Sequence, residues 1–208
     1  MNTELRAELL RRAEKDQAAR RAMDADAWTA ADAENLSWLR QVIAEVGWPG
    51  TSIAGADGAR AAWLLAQHAD RDPAFQRQCL GLLTAAVGQG EASATELAYL
   101  TDRVLLAEGQ PQVYGTQAQW RDGRCVARPL RDPARVDERR AEVGLEPLSE
   151  YLAAMTKHKD VPAMSYTTPC LGCGATIEFD PGETKTVTMT CDACGRTTTL
   201  TLGDPGAS

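Results

Sequence analysis

Two pairs of cysteines constrain the fold of this 208-residue chain more than any other feature of its sequence. Cys170 and Cys173 form the first Cys-x-x-Cys pair, Cys191 and Cys194 form the second, and 17 residues separate the pairs. Two residues between cysteines let both thiolates of a tight turn reach one metal ion at about 2.3 Å. The spacing therefore predicts that the four cysteines hold one tetrahedral metal ion per chain, with zinc preferred.

The segment around these cysteines has the pattern of a small β-module. Strands are predicted at 176–179, 186–190 and 196–202, and a glycine follows each cysteine pair. Over residues 168–203 the segment closely resembles the zinc-ribbon class of metal-bound modules. A module of this size buries too little apolar surface to fold alone, so the resemblance implies that the metal holds the fold together.

Two other chemistries compete with a structural zinc site. An iron site of the rubredoxin type uses the same paired cysteines, and a redox-active Cys-x-x-Cys pair has the same internal spacing but normally occurs singly. Because four sulfurs fill a tetrahedral site, no position remains for water or substrate, and the site is predicted to be structural. Its threonine-rich surface is a candidate for docking a protein or peptide partner. Nucleic acid is disfavoured as a partner, since residues 168–203 contain two basic residues, Lys185 and Arg196, and four acidic ones.

The composition of the whole chain indicates a globular protein. Hydrophobic residues make up 44% of it, and no apolar run approaches the roughly 20 residues of a membrane helix. The first residues lack the apolar core of a signal peptide, so a cytoplasmic location is expected. The net charge of −7 argues against a broad basic surface for nucleic acid. An excess of 18 arginines over 4 lysines is typical of a GC-rich bacterial genome.

The first three quarters of the chain is predicted to be a helical domain, because apolar residues recur there at helical spacing. Asp72-Pro73 predicts an N-cap followed by the first helical residue, and Ser93 opens a capping box. Asp132-Pro133 is interpreted as another N-cap. Helices are predicted at about 3–22, 32–46, 57–68, 73–87, 93–107, 132–144 and 147–158.

One β-hairpin interrupts the predicted helices. Asp122-Gly123 lies between two strand-like runs and predicts a two-residue turn that places Trp120 opposite Cys125. The predicted fold class is therefore mainly α, with one β-hairpin at 112–130 and a small C-terminal β zinc ribbon. The predicted domains are a helical domain at 1–158, a linker at 159–167 and the ribbon at 168–204.

Three polar strings in the helical domain contain the candidate functional residues. They are residues 67–70 (Gln-His-Ala-Asp), residues 102–103 (Asp-Arg) and residues 112–117 (Gln-Val-Tyr-Gly-Thr-Gln). Together with their surroundings, these strings look like those of a bacterial domain family of unknown function. The resemblance spans roughly residues 1–155 and implies a shared fold.

The first string supplies a candidate acid–base group. A carboxylate near an imidazole can orient the ring and raise its basicity, so His68 is the candidate acid/base and Asp70 the carboxylate that orients it. Asp102 is a third candidate catalytic residue. The candidate substrate-binding residues are Gln67, Arg103, Gln112, Tyr114, Thr116 and Gln117.

The same residues also allow other interpretations. His68 can be a hydrogen-bonded structural residue, Asp102 and Arg103 can form a buried salt bridge, and His68, Asp70 and Asp102 can together ligate a metal. Two functional hypotheses follow. The chain is an enzyme with hydrolytic or peptide-modifying acid–base chemistry around His68, or it is an adaptor that binds a protein or peptide and docks through the ribbon.

Overall fold

The computed structural model describes residues 1–157, 166–169, 173, 176–179, 186–191, 194–195 and 197–201. The chain forms two compact units, Met1–Ala154 and Met155–Ser208. The predicted fold class, mainly α with one hairpin in the helical part, is confirmed. The helices are α1 (Thr3–Arg21), α2 (Ala25–Val46), α3 (Thr51–Gln67), α4 (Pro73–Gly88), α5 (Ala94–Ala107), α6 (Val136–Glu142) and α7 (Leu148–Lys157).

Helices α1 to α5 share one hydrophobic core. Helix α1 packs against α2 and α3, and helix α5 packs against α3 and α4. Burying a leucine side chain contributes about 1.5–3 kcal/mol, so the leucines at the centre stabilise this arrangement strongly. Those exposing 2% or less of their surface are Leu9, Leu39, Leu65, Leu83 and Leu100.

Side-chain caps determine where several helices begin. Asp72 accepts a hydrogen bond from Phe75 N–H at 3.0 Å, which confirms the predicted start of α4. Asp24 accepts from Ala27 N–H at 2.9 Å, and α2 therefore begins at Ala25 rather than near Asp32, where the sequence interpretation had placed its start. The earlier cap was missed because the apolar stripe of α2 becomes regular only after its first two turns.

The start of α3 also differs from the prediction near Asp57. The element begins at Thr51 and is broken at Gly55, whose φ of 74° and ψ of 164° are not helical. A loop residue, Glu91, packs against the beginning of this helix: its carboxylate accepts from Ser52 N–H at 2.7 Å. The backbone approaches so closely that a Cβ at Gly50 would lie 2.8 Å from the Glu91 side chain.

The hairpin has the predicted register. Strands β1 (Ala118–Arg121) and β2 (Arg124–Ala127) are antiparallel, with Trp120 opposite Cys125. The turn residues Asp122 and Gly123 have φ values of 52° and 73°, as a two-residue turn with two left-handed positions requires. The register could be predicted because the two turn residues alone determine it.

The prediction of an N-cap at Asp132 is confirmed for its position, before Pro133, but not for a capping side chain or for the start of an α-helix. Asp132 has a left-handed φ of 46° and forms no capping hydrogen bond with its side chain. A 3₁₀ turn at Pro133–Arg135 follows it, and α6 begins only at Val136. The preceding loop bends so that Arg139 can donate to the backbone carbonyls of Arg131 and Asp132 at 2.7 and 3.0 Å.

The second unit contains two antiparallel strand pairs. Strand β3 (Tyr166–Pro169) pairs with β4 (Thr176–Phe179), and β5 (Thr186–Thr190) pairs with β6 (Thr197–Thr201). Strand β3 was not predicted. Most of the predicted linker, at 159–165, lies outside the described residues. In the described part of the chain, no helix combines the length and apolar character needed to cross a membrane.

Candidate functional site

His68 lies at the end of α3, and a buried carboxylate from α1 holds its ring. Nδ1 of His68 is 2.9 Å from Oδ2 of Asp16. The Asp16 side chain is 0% exposed, whereas that of His68 is 14% exposed. An ionised carboxylate only accepts hydrogen bonds, so Nδ1 carries a proton and Nε2 of the neutral ring keeps its lone pair. Within the described residues, no hydrogen bond occupies Nε2.

Two further side chains complete the surroundings of Asp16. Gln17 Nε2 donates to Asp16 Oδ2 at 2.9 Å, and Arg20 Nε donates to Asp16 Oδ1 at 3.1 Å. Arg20 also donates through Nη2 to Asp32 on α2, at 2.6 Å. Both oxygens of Asp16 are therefore fixed by hydrogen bonds, and the orientation of the His68 ring is fixed with them.

The pKa values of the two carboxyl groups at Arg20 shift in opposite directions, although burial raises both. Burial opposes ionisation of Asp16, but the hydrogen bond and charge of His68, with help from Gln17 and Arg20, outweigh it and lower the pKa of Asp16 to about 2. Burial raises the pKa of Asp32, and contact with Asp16 adds to that rise while Arg20 opposes it. Asp16 is therefore the more acidic of the two carboxyl groups beside His68.

Asp70 binds Arg103 rather than the imidazole. Arg103 donates from Nε and Nη2 to the two Asp70 oxygens at 2.8 and 2.7 Å, and its Nη1 lies 3.4 Å from Gln117 Oε1. Gln76 donates to Asp70 at 3.1 Å. Burial raises the pKa of Asp70, but the Arg103 hydrogen bonds and charge, with a smaller effect of the nearby His68 charge, lower it below its usual value.

Asp102 fixes the segment before the hairpin. Its carboxylate is 0% exposed and accepts from the backbone N–H groups of Val113, Tyr114 and Thr116 at 2.7–3.2 Å. The Thr116 hydroxyl donates to it as well, at 3.0 Å. Four donors on one buried carboxylate make Asp102 the anchor of this loop, and its oxygens are fully used there.

Two predicted substrate-binding glutamines also serve the fold. Gln112 is 0% exposed; its Nε2 donates to the carbonyls of Gln117 and Arg128, and its Oε1 accepts from Gln117 N–H, all at 2.9 Å. With its amide oxygen facing the available donors, Gln67 accepts from Leu100 N–H at 2.7 Å and from Trp63 Nε1 at 3.2 Å. Neither amide is free to bind a substrate.

Three cysteines of the second unit form a cluster. The sulfurs of Cys173, Cys191 and Cys194 lie within 4.8 Å of one another, and those of Cys173 and Cys191 are 3.7 Å apart. Gly195 N–H donates to the Cys191 carbonyl at 2.7 Å, and Gly195 adopts a left-handed φ of 69°. The predicted fourth ligand, Cys170, lies outside the described residues. The three sulfurs are near enough to share one metal ion.

Comparison with known proteins places the helical part in a defined family. Residues 3–161 match a family of unknown function, DUF6624. The chain belongs to this family. No curated protein and no solved structure matches the chain. The match includes all three polar strings of this DUF6624 domain, and the cysteine cluster lies beyond it.

The predicted site residues of the DUF6624 domain divide into two groups. Those with their polar groups used within the fold, and with 4% exposure or less, are Gln67, Asp102, Gln112 and Thr116. Those that keep some exposure are His68, Asp70, Arg103, Tyr114 and Gln117. The prediction that Asp70 orients His68 is corrected, since Asp16 contacts the ring.

The structure also changes which residues of the DUF6624 domain could together ligate a metal ion. Asp70 and Asp102 bind Arg103 and a backbone loop, so they do not gather around His68. The acidic groups within 4.8 Å of the His68 ring nitrogen are instead those of Asp16 and Asp32. Arg20 already bridges these two carboxylates, so a metal ion at Asp16, Asp32 and His68 would compete with its positive charge.

Sequence reasoning missed Asp16, Arg20 and Asp32, although one signal was present. Asp16 continues the apolar stripe of α1 that runs through Leu9 and Ala13 at helical spacing. A carboxylate on a buried stripe needs a partner. That signal identifies Asp16 as a paired buried acid, but it does not identify His68, 52 residues away, as the partner.

Proposed function

We propose that the helical unit is an acid–base enzyme in which Nε2 of His68 transfers protons in a hydrolytic or peptide-modifying reaction. The observation that supports this proposal is the 2.9 Å contact between His68 Nδ1 and the fully buried Asp16. A buried carboxylate on one ring nitrogen sets the tautomer and leaves the other nitrogen available as a base.

In the proposed reaction, Nε2 removes a proton from water or another nucleophile, and the nucleophile attacks an acyl carbon. Asp16 stabilises the imidazolium that forms, and the imidazolium then returns the proton to the leaving group. Arg103, fixed by Asp70, and Gln117 beside it are proposed to bind a polar group of the substrate. Asp70 thus acts in this proposal as a positioning residue for Arg103.

A first test measures the tautomer directly. The chain has only two histidines, His68 and His158, so their ring nitrogens are simple to assign by ¹⁵N NMR with a His158→Gln variant. We expect the neutral His68 ring to carry its proton on Nδ1. In Asp16→Asn, the side-chain amide can donate to the ring, and the proton should move in part to Nε2. A wild-type ring with its proton on Nε2 would contradict the proposal.

A second test measures turnover across a panel of chromogenic acyl esters and amides. General acid–base catalysis contributes about 100- to 10,000-fold to a rate, so turnover should fall by at least about 100-fold in His68→Gln. Asp16→Asn should lose a similar factor. Glu14→Gln, on the exposed side of the same helix, is the matched control and should retain the wild-type rate.

The alternative is a non-enzymatic adaptor that binds a protein or peptide partner. It is favoured if His68→Gln leaves every measured turnover unchanged. The exposed hydroxyl pairs of the ribbon, Thr188 with Thr199 and Thr190 with Thr197, each 3.0 Å apart, would then be the first candidates for a docking surface.

We also propose that Cys170, Cys173, Cys191 and Cys194 hold one structural zinc ion. Four sulfurs at about 2.3 Å from a tetrahedral ion are about 3.8 Å from one another. The 3.7 Å separation of the Cys173 and Cys191 sulfurs fits that value. Zinc would stabilise the ribbon and supply no reactive position. A reducing bacterial cytoplasm, the location we propose, keeps such thiols available to a metal.

A further inference from the structure

A groove between α1 and α3 lies beside the proposed catalytic pair. It encloses about 320 Å³. The residues that form its floor and walls are Leu10, Ala13, Gln17, Ala61, Trp63 and Leu64. Its lining is mainly apolar, with one aromatic ring.

Two of these residues connect the groove to His68. Gln17 lines the groove and donates its amide to Asp16 at 2.9 Å, the carboxylate that holds the His68 ring. Leu64 lines the same groove and precedes His68 by four residues, which places both on one face of the end of α3. A molecule lying in the groove would therefore extend towards the imidazole.

The rim of the groove carries one arginine whose guanidinium is not used in an ion pair with another described residue. Its acidic residue, Asp57, is bound by two nitrogens of Arg6. Its basic residue, Arg60, is exposed and stacks over the Trp63 ring, 5.7 Å from the ring centre. Within the described residues, Arg60 forms no ion pair and no hydrogen bond. The nearby carboxyl group is Glu96, which is 8% exposed and lies beneath the surface.

The aromatic wall is held in a fixed orientation. Trp63 Nε1 donates to the Glu96 carbonyl at 2.8 Å, and the Tyr99 and Trp63 rings pack at nearly a right angle with 6.0 Å between ring centres. An apolar group in the groove can therefore contact the indole ring without reordering it. Lower reordering favours binding, because less conformational entropy is lost.

We propose that this groove binds the substrate of the His68 site, and that the substrate is an apolar or aromatic carboxylate. Arg60 pairs with the carboxylate, the body of the substrate lies on Trp63 and Leu64, and the bond to be cleaved lies towards His68. The inference rests on the proposed acid–base function of His68. It adds the chemical class of the substrate and the residues that select it.

The test uses 4-phenylbutyrate as the probe, with 4-phenylbutanol and 4-phenylbutylamine as the uncharged and oppositely charged analogues. Binding to the full-length protein is followed by calorimetry and by the indole N–H resonance of Trp63, assigned with Trp63→Phe. We expect saturable binding of 4-phenylbutyrate that shifts the Trp63 resonance. Binding of the alcohol should be about fivefold weaker and that of the amine weaker still, since a partly exposed ion pair contributes up to about 1 kcal/mol.

Arg60→Gln should weaken 4-phenylbutyrate binding by about fivefold and leave the affinity for the alcohol unchanged. Arg124→Gln, which removes an exposed arginine on the hairpin, is the matched control. Equal affinities for the three probes, no saturable binding, or equal effects of the two arginine variants would overturn the inference. His68→Gln should still bind 4-phenylbutyrate, so loss of turnover in that variant tests the proposed function separately.

Discussion

At the residue scale, Asp16 determines which ring nitrogen of His68 is available to react. A free imidazole exchanges its proton between two nitrogens, whereas an ionised and buried carboxylate on Nδ1 leaves one nitrogen to react. Asp16 remains ionised because His68, Gln17 and Arg20 all donate to it. The same contacts make the stability of the fold depend on pH in a defined direction.

The contribution of Asp16 to stability should disappear in acid. The pKa of Asp16 is about 2 in the fold and about 3.8 in a model peptide. A carboxyl group whose pKa is lowered by folding stabilises the folded state at pH values above its pKa in the unfolded chain. This contribution is lost as the pH falls from about 4 towards about 2. The difference in free energy of unfolding between wild type and Asp16→Asn should therefore be largest above pH 5 and shrink steadily below pH 4. Urea titrations at several pH values measure it, and a difference independent of pH would contradict the assignment.

A second prediction concerns the loop anchored by Asp102. Asp102→Asn replaces one acceptor oxygen with an amide that faces backbone N–H donors, so we expect a loss of about 2–4 kcal/mol in the free energy of unfolding. Asp122→Asn is the matched control, because asparagine suits the left-handed φ of 52° at that turn position. Thermal unfolding measures both variants. Equal melting temperatures for Asp102→Asn and wild type would exclude the anchoring role.

The roles of individual residues could be predicted only in part from the sequence. His68 and Asp70 are close along the chain, and the sequence interpretation paired them for that reason. The structure pairs His68 with Asp16 of α1 and Asp70 with Arg103 of α5. Pairing across helices depends on how the helices pack, and spacing within one string of residues carries no information about that packing.

At the scale of elements, the features predicted well are those determined by neighbours in sequence. The cap at Asp72 and the turn at Asp122-Gly123 each depend on a few adjacent residues. The break at Gly55 and the early start of α3 depend instead on contacts with distant parts of the chain. Thr51 N–H, for example, donates to the carbonyl of Glu91 at 3.0 Å.

Gly50 and Gly81 provide a matched pair for this element-level packing. In Gly50→Ala the new Cβ would meet Glu91 at 2.8 Å and force the loop away from α3, so we expect a loss of about 1–3 kcal/mol. In Gly81→Ala the new Cβ meets nothing within 4 Å inside helix α4, and a gain of about 0.5–1 kcal/mol is expected. Chemical denaturation distinguishes the two. Destabilisation of similar size in both variants would mean that the approach of Glu91 has no energetic consequence.

At the scale of the whole molecule, the two units should depend on different interactions. The first has a continuous core that includes buried leucines, whereas the described residues of the second beyond α7 form two short strand pairs and a cysteine cluster. Two-stranded sheets are marginal alone. Metal is therefore expected to matter for the second unit and to have little effect on the helices.

Elemental analysis and circular dichroism of the full-length protein test that expectation. Wild type should contain about one zinc per chain, and Cys191→Ser combined with Cys194→Ser should contain none. The helical signal at 222 nm should be nearly the same in both proteins. Cys79→Ser is the control for removal of a thiol, because Cys79 is fully buried in the helical core and is not one of the proposed ligands. Zinc retained by the double variant would contradict the proposed ligands.

The neighbouring residues Asp102 and Arg103 tie helix α5 to two separate parts of the chain. Asp102 accepts hydrogen bonds from the amides of Val113, Tyr114 and Thr116, and Arg103 donates to the carboxylate of Asp70, two residues after His68. Both sets of hydrogen bonds start from the same rigid helix, so a large displacement of one bound segment would also displace the other. Hydrogen–deuterium exchange of those three amides therefore reports on how stably the end of α3 that carries His68 is held in place.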